Sequence, residues 1–281
     1  MACSLRKARQ FREARHDMIQ STFDGHHEIV GEGIPVLVYN GFGCANWFFQ
    51  DCAERLKDIA QFVLLENRGI GKADKALEPY DIEHLAQDGL DLMDHLGFDR
   101  FVVLGYSMGS FMAQVLALQA PERLRALVLL CSMGPGPDFL PLPVVTDDML
   151  RDSYVMPPPV MIDANLRMTT HPSFLKSQPE RFAWLKKQRL ASLADLEQVV
   201  FQNQAVHRYL SQPRPLHEIQ CPTLIMAGAQ DRFVNAGNSK ILAKVLPQSR
   251  LKLVDEADHL FFHEKPEPVV RELRAFLEEL S

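Results

Sequence analysis

Six short apolar runs punctuate the chain: Pro35–Tyr39, Gln61–Leu65, Arg100–Leu104, Ala126–Cys131, Thr223–Ala227 and Arg250–Val254. They lack a regular polar alternation and are bounded by Gly, Pro and Asn, the pattern of parallel strands covered on both faces. Ahead of them, Met18–Thr22 and His26–Val30 flank Asp24-Gly25 and read as a hairpin with a tight turn. Between the runs the spacing changes. Ile82, Leu85, Ala86, Leu90, Met93 and Leu96 recur near every 3.6 residues and predict a helix over Ile82–Leu96. A second helix is expected from just after Ser107 to Ala120, stopped by Pro121, and a third over Pro268–Leu280. Strand and helix in alternation predict an α/β fold: a mostly parallel central sheet with helices on both faces.

The alternation stops between about Gly134 and Pro215. Eleven of the eighteen prolines fall there, and helices expected around Thr146–Tyr154, Pro179–Ser192 and Leu193–Tyr209 have no strand between them. The expectation is a helical cap over residues 135–215, inserted after the sixth strand into a core made of residues 1–134 and 216–281. Its Phe139, Tyr154, Met156, Met161, Met168, Phe174, Trp184 and Phe201 predict a pocket more apolar than charged.

Composition narrows the function. At 281 residues, 47% hydrophobic and 23% charged, the chain is ordinary for a globular protein with a sizeable core. A formal net charge of −6 lacks the clustered basic surface that nucleic acid requires. No run approaches the roughly 18 apolar residues of a membrane span. The basic residues from Arg6 to Arg15 have no apolar segment behind them, so the start reads as a solvated arm rather than a secretory signal. Five cysteines without a C-x-x-C pair suggest neither a disulfide framework nor a zinc site. The expectation is a cytoplasmic protein acting on a small molecule, with no nucleic acid, membrane, metal or organic cofactor; oligomeric state is left open.

Gly105-Tyr106-Ser107-Met108-Gly109 follows the run Arg100–Leu104 and opens a helix. This is the G-x-S-x-G elbow in its strand–turn–helix setting, with Ser107 at the tip. Serine is a weak nucleophile at neutral pH and needs a base. Of the ten histidines, His259 alone follows a strand at the edge where such sheets bind ligands. A carboxylate must hold its tautomer, and Asp231 ends the run Thr223–Ala227 and its turn; Asp255 and Asp258 are rivals.

These pieces, with Glu66-Asn67-Arg68-Gly69-Ile70-Gly71, Ala120-Pro121-Glu122-Arg123-Leu124 and Cys221-Pro222-Thr223-Leu224-Ile225, resemble the α/β-hydrolase superfamily, specifically its capped esterases and lactonases of the 3-oxoadipate enol-lactonase kind. The order Ser107, Asp231, His259 is the one that fold uses. The resemblance implies a serine hydrolase cleaving an ester or lactone through an acyl-enzyme. It also implies an oxyanion hole from the main-chain N–H groups of Met108 and Phe42. Asn40 stands where the family usually has histidine, removing a side chain that braces this loop. Trp47, Gln204 and His207, with Asn40, are candidate pocket residues. Thioesterase, carbon–carbon hydrolase or perhydrolase chemistry, or a non-catalytic small-ligand receptor, are the alternatives on the same scaffold.

Overall fold

The computed structural model describes residues 25–280; Met18–Thr22, the expected first strand of the hairpin, and the basic arm lie outside them. Every other apolar run forms a strand: β1 (His27–Val30), β2 (Ile34–Tyr39), β3 (Ala60–Leu65), β4 (Phe101–Tyr106), β5 (Leu124–Leu130), β6 (Thr223–Gly228) and β7 (Ser249–Val254). They join in one sheet ordered β1-β3-β2-β4-β5-β6-β7. Strand β1 is antiparallel to β3, and all other pairs are parallel.

Side chains alternate across a strand, so a run apolar throughout supplies two cores at once. Val36, Val38, Phe62, Leu64, Val102 and Leu104 belong to one core; Leu37, Tyr39, Val63, Leu65 and Val103 belong to the other. In chain order the core helices are α1 (Trp47–Leu56), α2 (Ile82–His95) and α3 (Met108–Gln119). Between β5 and β6 come α4 (Asp147–Val155), α5 (Pro158–Thr169), α6 (Phe174–Ser177), α7 (Pro179–Ala191) and α8 (Leu196–Leu210), with no strand among them. Then follow α9 (Ala236–Val245), α10 (Phe261–Glu264) and α11 (Pro266–Glu278). Helices α1 and α11 cover the first core, and α2, α3 and α9 the second.

Two expectations need correction. Strand β7 is not buried on both faces: it is the sheet edge, only partly buried until Val254. Its sequence, Arg-Leu-Lys-Leu-Val, alternates as a half-exposed strand should. No helix is expected over Pro158–Thr169, yet helix α5 forms there, with Pro157 at the cap and prolines in the first turn. Those positions have no intrahelical partner for an N–H, so proline removes nothing there. The insertion follows the fifth described strand. Among the described residues no helix is long and apolar enough to cross a membrane.

Candidate active site

Strand β4 ends in a turn so tight that its flanking positions admit no side chain. A Cβ on Gly109 would lie 2.1 Å from the Tyr39 carbonyl oxygen, and one on Gly105 would lie 2.4 Å from the Gly109 oxygen. Ser107, between them, has φ 52° and ψ −119°. Such a conformation costs a non-glycine residue of order 1–3 kcal/mol and persists only where neighbours hold it. Here Ser107 N–H donates to Leu130 O (2.8 Å), and Ser107 O accepts from Ser110 N–H (2.9 Å) and Ser110 Oγ (2.5 Å). The serine is 8% exposed.

His259 lies between β7 and α10. Its Nε2 is 3.1 Å from Ser107 Oγ, and its Nδ1 is 2.9 Å from Asp231 Oδ2. An ionised carboxylate only accepts, so Nδ1 carries the proton and the Nε2 lone pair faces the serine hydroxyl. Asp231 is itself fixed, because Oδ1 accepts from Phe233 N–H (2.9 Å) and Val234 N–H (2.8 Å). The His259 backbone is held on both sides. Its carbonyl accepts from Cys131 Sγ (3.3 Å) and Tyr106 Oη (3.4 Å), and its N–H donates to Asp258 Oδ1 (2.9 Å). Burial keeps the Tyr106 hydroxyl and Cys131 thiol well above their ordinary pKa ranges, so both are donors. The imidazole sits between the rings of Tyr106 and Phe233, each 5.2 Å away by centroid.

The rival aspartates are not oriented on the imidazole. Asp255 is exposed. Asp258 is wholly buried, but its carboxylate accepts from the His259 and Arg232 backbone N–H groups and from Arg232 Nε at 2.5 Å. Glu264 completes this brace, accepting Asp258 N–H (3.1 Å) and His171 N–H (2.8 Å). Burial pushes its carboxyl up to about 7. Cys131, Asp231 and His259 place ligand atoms within 4.8 Å of one another. A metal needs deprotonated ligands, whereas burial and the Asp231 charge hold this thiol protonated.

The remaining expected site residues divide. Met108 is buried at the start of α3, and Phe42 is half-buried after β2. Neither backbone N–H has an acceptor among the described residues. Asn40 does brace its loop, contrary to expectation: Nδ2 donates to Leu65 O (3.2 Å) and Asn46 Oδ1 (3.3 Å), while Asn67 Nδ2 donates to Asn40 O (3.3 Å). Trp47 ties α1 to the insertion through Ser192 Oγ (2.8 Å) and an edge-on contact with Trp184. Gln204 and His207 are not brought to Ser107: they bond Asp147 Oδ2 and Val145 O, both at 2.8 Å. The apolar insertion residues are dispersed too. Met156 and Met168 are exposed, Tyr154, Met161, Phe174 and Trp184 pack with one core, and Phe139 and Phe201 pack with the other.

Arg232 and Glu264, which brace His259, carry no sequence signal; nor do Gln202 and Arg189, which bond Gly43 beside Phe42. Gln202 is two residues from Gln204, about 200° around the helix, and only knowledge of the docked face could have selected it.

A family profile described as the alpha/beta hydrolase fold matches residues 34–266. RutD of Azorhizobium caulinodans, provisionally named a carbamate hydrolase, is 26% identical over 270 residues, covering 92% of this chain and 96% of its own. A thermophilic esterase from Thermogutta terrifontis superposes with a TM-score of 0.80 at 24% identity, covering 91% of this chain and 93% of that one. The enol-lactonase from Burkholderia xenovorans gives 0.80 at 21% identity, covering 90% and 96%. The two structures are likenesses of fold. With a family profile spanning most of its length, the chain belongs to the α/β hydrolase fold family.

Proposed function

We propose that this hydrolase cleaves a carboxylic ester or lactone through an acyl-enzyme on Ser107. The observation that carries the reading is the unbroken chain from Ser107 Oγ through His259 to Asp231, at 3.1 and 2.9 Å. Nε2 takes the hydroxyl proton as Oγ attacks the substrate carbonyl, and Asp231 stabilises the imidazolium. The N–H groups of Met108 and Phe42 receive the oxyanion, with Met108 adding the N-terminal end of α3. The leaving alcohol takes the proton from Nε2, and His259 then activates water against the acyl-enzyme. The half-buried rings of Phe42 and Phe233, the latter against His259, support a small and fairly apolar substrate. Residues 135–215 serve as the cap of this site. The four described cysteines are unpaired, which supports a reducing compartment.

The test is intact mass after treatment with a fluorophosphonate, together with turnover of a short p-nitrophenyl ester. One adduct mapping to Ser107, lost in Ser107→Ala and much slowed in His259→Ala, is expected. A folded wild type that takes no adduct and turns over no ester, lactone or carbamate overturns the reading in favour of a ligand-binding member of the fold.

A further inference from the structure

Residues Gly41 to Cys44 form a tight turn closed by Cys44 N–H donating to Gly41 O (3.1 Å). Gly43 has φ +60°, and Phe42 is not among the positive-φ residues. That combination makes a type II turn and requires glycine at the third position. Space is not the reason, since a Cβ on Gly43 would meet nothing within 4 Å. The Phe42 N–H belongs to the Gly41–Phe42 unit, whose carbonyl closes the turn, so the placement of the turn as a whole sets where this donor points.

Both polar groups of Gly43 are held from the helical insertion. Its N–H donates to Gln202 Oε1 on α8 at 2.8 Å, and its carbonyl accepts from Arg189 Nη1 on α7 at 2.7 Å. Arg189 also reaches Cys44 Sγ at 3.4 Å. Gln202 is wholly buried, and its carbonyl can accept only while the Phe42–Gly43 unit keeps its present orientation. Two successive peptide units immediately after Phe42 are therefore fixed by two separate helices of the insertion. On the other side of Phe42, Asn67 fixes the Asn40 carbonyl, so only the downstream half of this turn depends on the insertion.

We infer that Gln202 and Arg189 are positioning residues for the oxyanion turn: their two bonds to Gly43 hold the turn that carries the Phe42 N–H. This rests on the assignment of Phe42 N–H as an oxyanion donor. The insertion then bears on kcat through these two contacts and not through the firmness of its seating as a whole.

The experiment measures kcat and KM for p-nitrophenyl acetate, and the rate of fluorophosphonate labelling, in folded protein checked by thermal melting. Full loss of an oxyanion donor costs about a hundred- to a thousandfold in kcat, so loosening one is expected to cost about ten- to a hundredfold. Gln202→Met and Arg189→Met should show that fall in kcat and in labelling, with KM changed by less than about threefold on the same argument. Gln202→Glu and Arg189→Lys, which keep an acceptor and a donor, should recover much of it. Gln198, one turn earlier on α8, bonds both backbone groups of Ala76 (2.9 and 3.0 Å) away from this turn. Gln198→Met should lower the melting temperature and leave kcat within about twofold, since it loosens docking without touching the donors. Equal kcat in wild type, Gln202→Met and Arg189→Met overturns the inference, as does an equal fall in Gln198→Met. If one methionine variant does not fold, the other residue's pair decides. A wild type without turnover or labelling removes the Ser107 reading and this one with it, and is distinct from an active wild type with equally active variants.

Discussion

Two buried aspartates meet the His259 segment through different atoms. Asp231 accepts from Nδ1; Asp258 accepts the backbone N–H and pairs with Arg232. Asp231→Asn preserves shape but offers an amide that can hold the wrong tautomer, so kcat on a p-nitrophenyl ester should fall about 10³- to 10⁴-fold with little change in melting temperature. Asp258→Asn should do the reverse. Arg232 is half exposed and its pair is partly screened, so the loss comes mainly from a buried N–H donor left without its acceptor, about 1–3 kcal/mol, with kcat within about tenfold. A steep kcat loss in Asp258→Asn would reassign the acid. At this scale Ser107, His259 and Asp231 are legible because each ends or follows an apolar strand run, where chemistry and chain position coincide. Gln202 and Arg189 are illegible because a glutamine on an amphipathic helix has no signature until the docked face is known.

Helix α3 is buried over nearly its whole circumference, and one polar side chain within it is shared three ways. Gln114 accepts from Tyr209 Oη (2.9 Å) and donates to Ser132 Oγ (3.0 Å) and Met133 O (2.9 Å), joining the elbow helix to the segment that follows β5 and to α8. Gln114→Met fits the volume but strands the Tyr209 hydroxyl and the Met133 carbonyl, so unfolding in urea should show a loss of about 2–3 kcal/mol; a loss below about 0.5 kcal/mol would mean that water replaces the amide. The elements themselves are legible where burial is two-sided, as in β2 to β6, because a short uninterrupted apolar run bounded by Gly, Pro and Asn fits a strand covered on both faces. Helix α1 escapes notice although Phe48, Phe49, Cys52, Ala53 and Leu56 mark one face, since its opening Trp47-Phe48-Phe49 resembles pocket wall as much as helix. Helix α5 escapes because three prolines look like a stop.

Across the whole molecule, Glu264 links the His259 segment to the insertion through Asp258 N–H and His171 N–H. Its carboxyl is pushed up by burial from an ordinary 4.5 to about 7, so the folded protein holds a proton there that the unfolded chain releases. The stabilisation is complete below pH 4.5 and is lost as pH rises through 7, a contribution of at most about 3 kcal/mol. Melting temperature should therefore decline from pH 5 to pH 8, and less steeply in Glu264→Gln, which is less stable at pH 5 because its amide nitrogen faces an N–H. A slope unchanged in the variant would place the titration elsewhere. The sheet order has a different consequence, for a chain emerging from a ribosome. Strand β5 pairs with β6, but residues 131–222 separate them. At about 5–20 residues per second, the apolar edge of β5 waits on the order of five to twenty seconds for its neighbour. Over that interval it is an unpaired edge open to other chains. Over the same interval Ser107 is already made, while Asp231 and His259 do not yet exist, so the growing chain carries the serine without the two side chains that line up behind it.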